Sequence, residues 1–236
     1  MTLKTNILLL LFSIPIFSQD YLGSWNILNI NLKTDAKWSI FAESQIRSLS
    51  FYNEFHYYEL KTGVTYKMGE DFSATSGFGS YNTFSEGGNF KTPMQNKEIR
   101  TWFQFNIKNQ KQFFLIEHRY RAEQRFTSNG FRNRFRYRLG VTIPLNSLKT
   151  EFKTFYLSIW NEVFLTNNEP FFERNRLFLG FVYEINKNLT VQTGYIYQFD
   201  YKINDETGRD FVNLGLYYNF DLIKTKEKNF IPATSD

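Results

Sequence analysis

The residues best equipped for chemistry in the middle of this chain are arginines, and there they recur at every second position. From Glu117 to Gly140 the sequence runs EHRYRAEQRFTSNGFRNRFRYRLG. Read with the period of two that governs a β-strand, Glu117, Arg119, Arg121, Glu123 and Arg125 share one face, with His118, Tyr120, Ala122 and Phe126 on the other. Past the turn, Arg132, Arg134, Arg136 and Arg138 share a face opposite Phe131, Phe135, Tyr137, Leu139 and Val141. Arg100, Glu162, Arg174 and Arg176 occupy the polar positions of other alternating segments and belong to the same charged surface. Guanidinium forks at this spacing can chelate carboxylates through paired hydrogen bonds, or attract diffusible anions.

Other chemistry finds little support. The chain has no cysteine, which excludes disulfides, Cys-ligated metals, a thiol nucleophile and a lipid-modified N-terminal Cys. A hydrolase needs a Ser, Asp or Glu within reach of a His, and the only histidines are His56 and His118. Parity turns His118 to the apolar face, and His56 is expected at the surface near a loop rim. Two histidines on separate strands make a weak metal set. No enzyme, cofactor or metal site is expected. Gly77, Gly79, Gly87 and Gly88 fit bends and loops, since no helix follows them to cradle a phosphate. The formal charge of +5 is spread within strands and gives no nucleic-acid stripe.

The elements that carry these residues are strands. Aromatics make up 19% of the chain while mean hydropathy is −0.43, so the apolar content is dispersed by alternation and not gathered in runs. The exception is the N-terminus, MTLKTNILLLLFSIPIFSQD, where Lys4, the run Ile7 to Phe12, Pro15 and Ser18 form a signal peptide pattern. Residues 1–19 are therefore expected to be a signal peptide, 20–221 one barrel domain, and 222–236 a polar periplasmic tail. A hairpin repeats along the chain: GVTYKMGEDFSATSGFG from Gly63 resembles GFVYEINKNLTVQTGYI from Gly180, with Gly77 and Gly194 in matching places. Such repetition predicts an up-and-down meander.

Eleven segments emerge, at about 21–31, 36–47, 54–68, 71–84, 97–109, 112–127, 130–144, 153–165, 174–186, 189–201 and 208–220. Tight turns such as GE and NKN alternate with longer links such as SEGGNFKTPMQ, TNNEPFFE and KINDETG. Apolar stripes, for example Leu177, Leu179 and Phe181, suit lipid, and Trp38, Trp102 and Tyr218 suit interfacial girdles. The fold class expected is all-β, a transmembrane up-and-down antiparallel β-barrel of about 10–12 strands. Eleven segments conflict with the even parity of bacterial barrels, so either the first lies at the seam or in the lumen, or one strand is missing from the count.

Several motifs together resemble the outer-membrane barrel family catalogued as domain of unknown function 2490. They are E-x-R-x-R-x-E-Q-R-F from Glu117 to Phe126, R-F-R-x-R-φ from Arg134, W-x-E-x-F from Trp160 to Phe164, and N-R-φ-x-x-G-φ-x-Y from Asn175 to Tyr183. The resemblance covers roughly 20–221 and implies the outer membrane of a Gram-negative bacterium, with no established activity. One departure is that Phe220, where an assembly signal usually ends in an aromatic, is followed by a polar tail. Outer-membrane lipid and the barrel-assembly machinery are the implied partners, and nucleic acid is not one. The function expected is a porin-like, Arg-lined pore or transporter for small anionic solutes, with some arginines left unneutralised in a hydrated lumen. The alternative is a non-conducting structural or surface-interaction barrel with Glu117, Glu123 and Glu162 ion-paired to the arginines. An outer-membrane enzyme ranks last.

Overall fold

Alternation at this length makes strands long enough to close on one another. The computed structural model describes residues 22–128, 130–147, 153–203 and 206–223. The expected signal segment and most of the polar tail lie outside the described residues. Eleven strands form a closed barrel: β1 (Leu22–Lys33), β2 (Trp38–Ser50), β3 (Asn53–Lys67), β4 (Phe72–Phe84), β5 (Met94–Gln110), β6 (Leu115–Thr127), β7 (Gly130–Pro144), β8 (Phe155–Thr166), β9 (Phe172–Glu184), β10 (Leu189–Asp200) and β11 (Thr207–Asp221). Chain neighbours pair antiparallel all the way round.

The odd count settles the parity conflict at the seam. Strands that alternate in direction leave β1 and β11 running the same way, and they pair in parallel from Leu22↔Asp210 to Lys33↔Asp221. Side chains reinforce this join. Asn213 Nδ2 donates to the Trp25 carbonyl at 3.0 Å, and Lys33 meets Asp221 at 2.9 Å at one rim. The first segment is thus a full stave of the wall, and closure leaves no bare edge.

Faces follow parity. Leu60, Phe78, Phe103, Tyr120, Phe135, Leu139, Ile159, Leu177, Leu179, Phe181, Leu214 and Leu216 are all exposed on the outer surface. Trp38 and Tyr218 are exposed toward strand ends, but Trp102 turns inward and is 4% exposed, against the girdle expected for it. Parity turns it in, with Phe103 outward, and its neighbour gives it room. Gly77 sits directly across from Trp102, and a Cβ there would lie 2.3 Å from the indole. The repeated hairpin has the same cause: Gly63 faces Gly77 and Gly180 faces Gly194, each glycine pair leaving room for an aromatic ring laid flat on bare backbone.

Loop lengths are less segregated than expected. One rim, here called the mouth, carries the long links 85–93, 167–171 and 201–206, yet β2 and β3 are joined there through Phe51 and Tyr52 alone. The opposite rim carries short turns together with the longer β7–β8 link, 145–154.

Candidate functional site

Pairing β6 with β7 sets arginine against arginine. Arg119 faces Arg138, Arg121 faces Arg136 and Arg125 faces Arg132, an arrangement that repels unless carboxylates stand between. They do. Glu162, from β8, receives Arg119 at 2.5 Å, Arg136 at 2.9 Å and Arg138 at 3.1 Å. Glu123 receives Arg136 at 2.7 Å and has Arg134 and Arg121 at 3.6 and 3.7 Å. Glu98 binds Arg125, and Arg100 at 2.8 Å. Glu173, at the mouth end of β9, binds Arg134, with Arg125 and Arg132 at 3.2 and 3.4 Å.

Arg132, Arg134, Arg136 and Arg138 therefore each reach a carboxylate, but Glu123, Glu162 and Glu173 are shared with Arg119, Arg121 and Arg125, so the expected excess of guanidiniums on this wall remains while no member of the row stands without a partner. Expected partners also shift. Glu117 lies 3.6 Å from Lys108, Arg174 binds Asp200, and Arg176 donates to Gln198 at 2.9 Å. Across the barrel a smaller network joins Lys61 to Glu43 and Glu59 at 2.6 and 3.0 Å, and Arg47 to Glu59 at 3.2 Å.

Aromatic rings fill the space between these networks. Trp25, Ile27, Trp160, Phe178, Ile196, Phe211 and Tyr217 form one buried cluster, none more than 4% exposed. Trp160 stacks on Phe178 with centroids 5.2 Å apart. The guanidiniums lie over ring faces: Arg138 is 3.9 Å from the Trp160 centroid, Arg47 3.4 Å from Trp25, and Arg136 4.5 Å from Phe164. A desolvated cation over a ring face gains roughly 2 kcal/mol, which offsets part of its lost hydration. A wide aqueous channel would leave its lining side chains accessible. Here Glu162, Glu123, Lys61, Gln192 and Asn213 are all 3% exposed or less.

The open space lies at the mouth. A cavity of about 720 Å³ reaches from the long links, through Asn168, Pro170, Tyr201 and Ile203, down to Arg47, Arg176 and Phe164. His56 lines it and is 8% exposed, which corrects its expected place on the surface. The register shift after Arg47 in the β2–β3 pairing accounts for this. His118 stays on the outer face, where Nδ1 and the Tyr137 hydroxyl lie 2.9 Å apart. Among the described residues no group of His, Cys, Asp and Glu comes together as a metal site.

Sequence reasoning missed the floor of the lumen and the second network. Both had a signal. In W-x-E-x-F the parity that turns Glu162 inward also turns in Trp160 and Phe164, and E-x-Q-x-R at Glu43, Gln45 and Arg47 alternates like the arginine strands. Glu98, Glu173 and Asp200 could not be matched to arginines without the register.

No curated protein and no solved structure matches the chain. Residues 22–209, from the first strand into the last, match the family described as protein of unknown function (DUF2490), and the chain belongs to that family.

Proposed function

We propose that this protein is an outer-membrane β-barrel of a Gram-negative bacterium that does not conduct and that acts at its mouth. The burial of the lumen carries this reading: Trp160 and Phe178, paired on the adjacent strands β8 and β9, stack inside it beside Glu162, which is 0% exposed. The apolar outer face supports a lipid surround, and strands of 12 to 17 residues exceed the ~9–11 that a tilted strand needs to cross a bilayer. Outer-membrane lipid and the barrel-assembly machinery are the partners such a barrel requires. No catalytic role is assigned, because His56 has no hydrogen-bonded acid or nucleophile at Nδ1 among the described residues.

A second reading, an anion-selective pore, is favoured by guanidiniums that outnumber carboxylates along the lumen, and it requires the aromatic floor to move. Reconstitution into planar bilayers separates the two. The expected result is outer-membrane fractionation, a heat-dependent gel mobility shift and no steady conductance. A steady conductance preferring chloride to potassium, weakened or reversed by Arg134→Glu with Arg136→Glu, would establish the pore instead.

A further inference from the structure

Arg176 differs from the arginines around it. It is 4% exposed and its Nε donates to the Gln198 amide oxygen, but among the described residues no carboxylate lies within ion-pairing distance of it. Gln198 is itself held from the other side, donating to Asp200 at 2.6 Å. The Arg176 guanidinium stands 4.8 Å from the Trp25 ring and 4.7 Å from the Phe164 ring. Arg47 stands over the same indole, and Arg174 is 5.7 Å from the same Phe164 ring. Cations gathered on one buried aromatic platform repel one another, and ring faces return only part of the hydration that each has lost.

Arg176, Gln198, Asp200, Arg47, Arg174 and Phe164 all border the mouth cavity, with Trp25 buried beneath them, and so does a second polar atom left unanswered. His56 Nδ1 is buried and has no hydrogen-bond partner among the described residues. Nearer the mouth, the Arg132 and Arg209 side chains are 38% and 34% exposed. The volume, about 720 Å³, falls within the range of small-molecule sites.

We propose that this cavity binds a small soluble oxyanion bearing two or more phosphate or carboxylate groups. One group sits on Arg176, which supplies the guanidinium fork that no carboxylate among the described residues occupies. The others lie toward Arg132 and Arg209, and Phe164 forms part of the floor. The site stands whether or not the barrel conducts and wherever it resides, because it is defined by the folded lumen alone.

The test is calorimetric titration of the full chain, folded in detergent and verified by its mobility shift, with sodium pyrophosphate and separately with sodium citrate at low salt. Tryptophan fluorescence gives a second readout through Trp25. Saturable binding of at least one probe is expected, and the tighter probe separates phosphate from carboxylate ligands. Arg176→Gln should weaken it roughly tenfold or more, the loss of one charge-assisted contact. Lys33→Gln, at the opposite rim, should leave it unchanged. Arg176→Gln removes an unanswered buried charge and should fold; if it does not, Arg209→Gln at the part-exposed mouth takes its place, with a several-fold loss expected. Binding of neither probe to the folded wild type overturns the proposal, even if micelles of an anionic phospholipid bind. So does wild-type affinity in the folded Arg176 variant or, failing that, in the Arg209 variant.

Discussion

Replacing Glu162 with glutamine tests the lumen network at its centre. Glu162 is 0% exposed and accepts from Arg119 at 2.5 Å, from Arg136 Nε and Nη2 at 2.9 Å each, and from Arg138 at 3.1 Å. The amide keeps the shape but loses the charge, and it turns one acceptor into a donor aimed at guanidinium N–H groups. Removing one partner of a buried ion pair costs about 3–5 kcal/mol. Arg136 retains Glu123 at 2.7 Å, so the expectation is the lower end, about 3 kcal/mol. Urea unfolding in detergent micelles, followed by tryptophan fluorescence and the mobility shift, measures it by linear extrapolation. The control is Asp221→Asn, which breaks the Lys33–Asp221 pair; those side chains are 40% and 48% exposed, so the loss should stay below about 1 kcal/mol. Adding Arg138→Leu to Glu162→Gln should recover part of the loss by removing one stranded cation. A Glu162→Gln variant within about 1 kcal/mol of wild type would refute the reasoning and mean that water screens the network.

Leu139→Arg, on the exposed outer face, should cost about 2–4 kcal/mol near a bilayer midplane and lower assembly yield, while Arg138→Leu leaves insertion intact. Equal losses in the two would mean that the inside and outside faces are misassigned. Gly77→Val should destabilise by about 1–3 kcal/mol, because its Cβ would meet Trp102 at 2.3 Å and the Thr62 carbonyl at 2.8 Å. Gly69→Ala, with its nearest neighbour 4.0 Å away, should be close to neutral in the same unfolding assay.

The wall of this barrel was legible in the sequence because strand faces obey a local rule. A period of two separates Arg134, Arg136 and Arg138 from Phe135, Tyr137 and Leu139 without reference to any other segment. Eleven alternating stretches therefore gave eleven strands at nearly their observed bounds, and matching glycines at Gly77 and Gly194 marked the two equivalent hairpins. Trp102 shows the limit of that rule applied loosely: its parity was readable, but its exposure depended on the hole left by Gly77 on another strand. What fills the lumen is a long-range property. Arg134 finds Glu173 across 39 residues, and Asn213 reaches the Trp25 carbonyl across 188, distances over which no periodicity carries information. Composition and alternation determined that the arginines face inward; only closure, through the parallel β1–β11 seam, decided which carboxylates meet them and which guanidinium is left without one among the described residues.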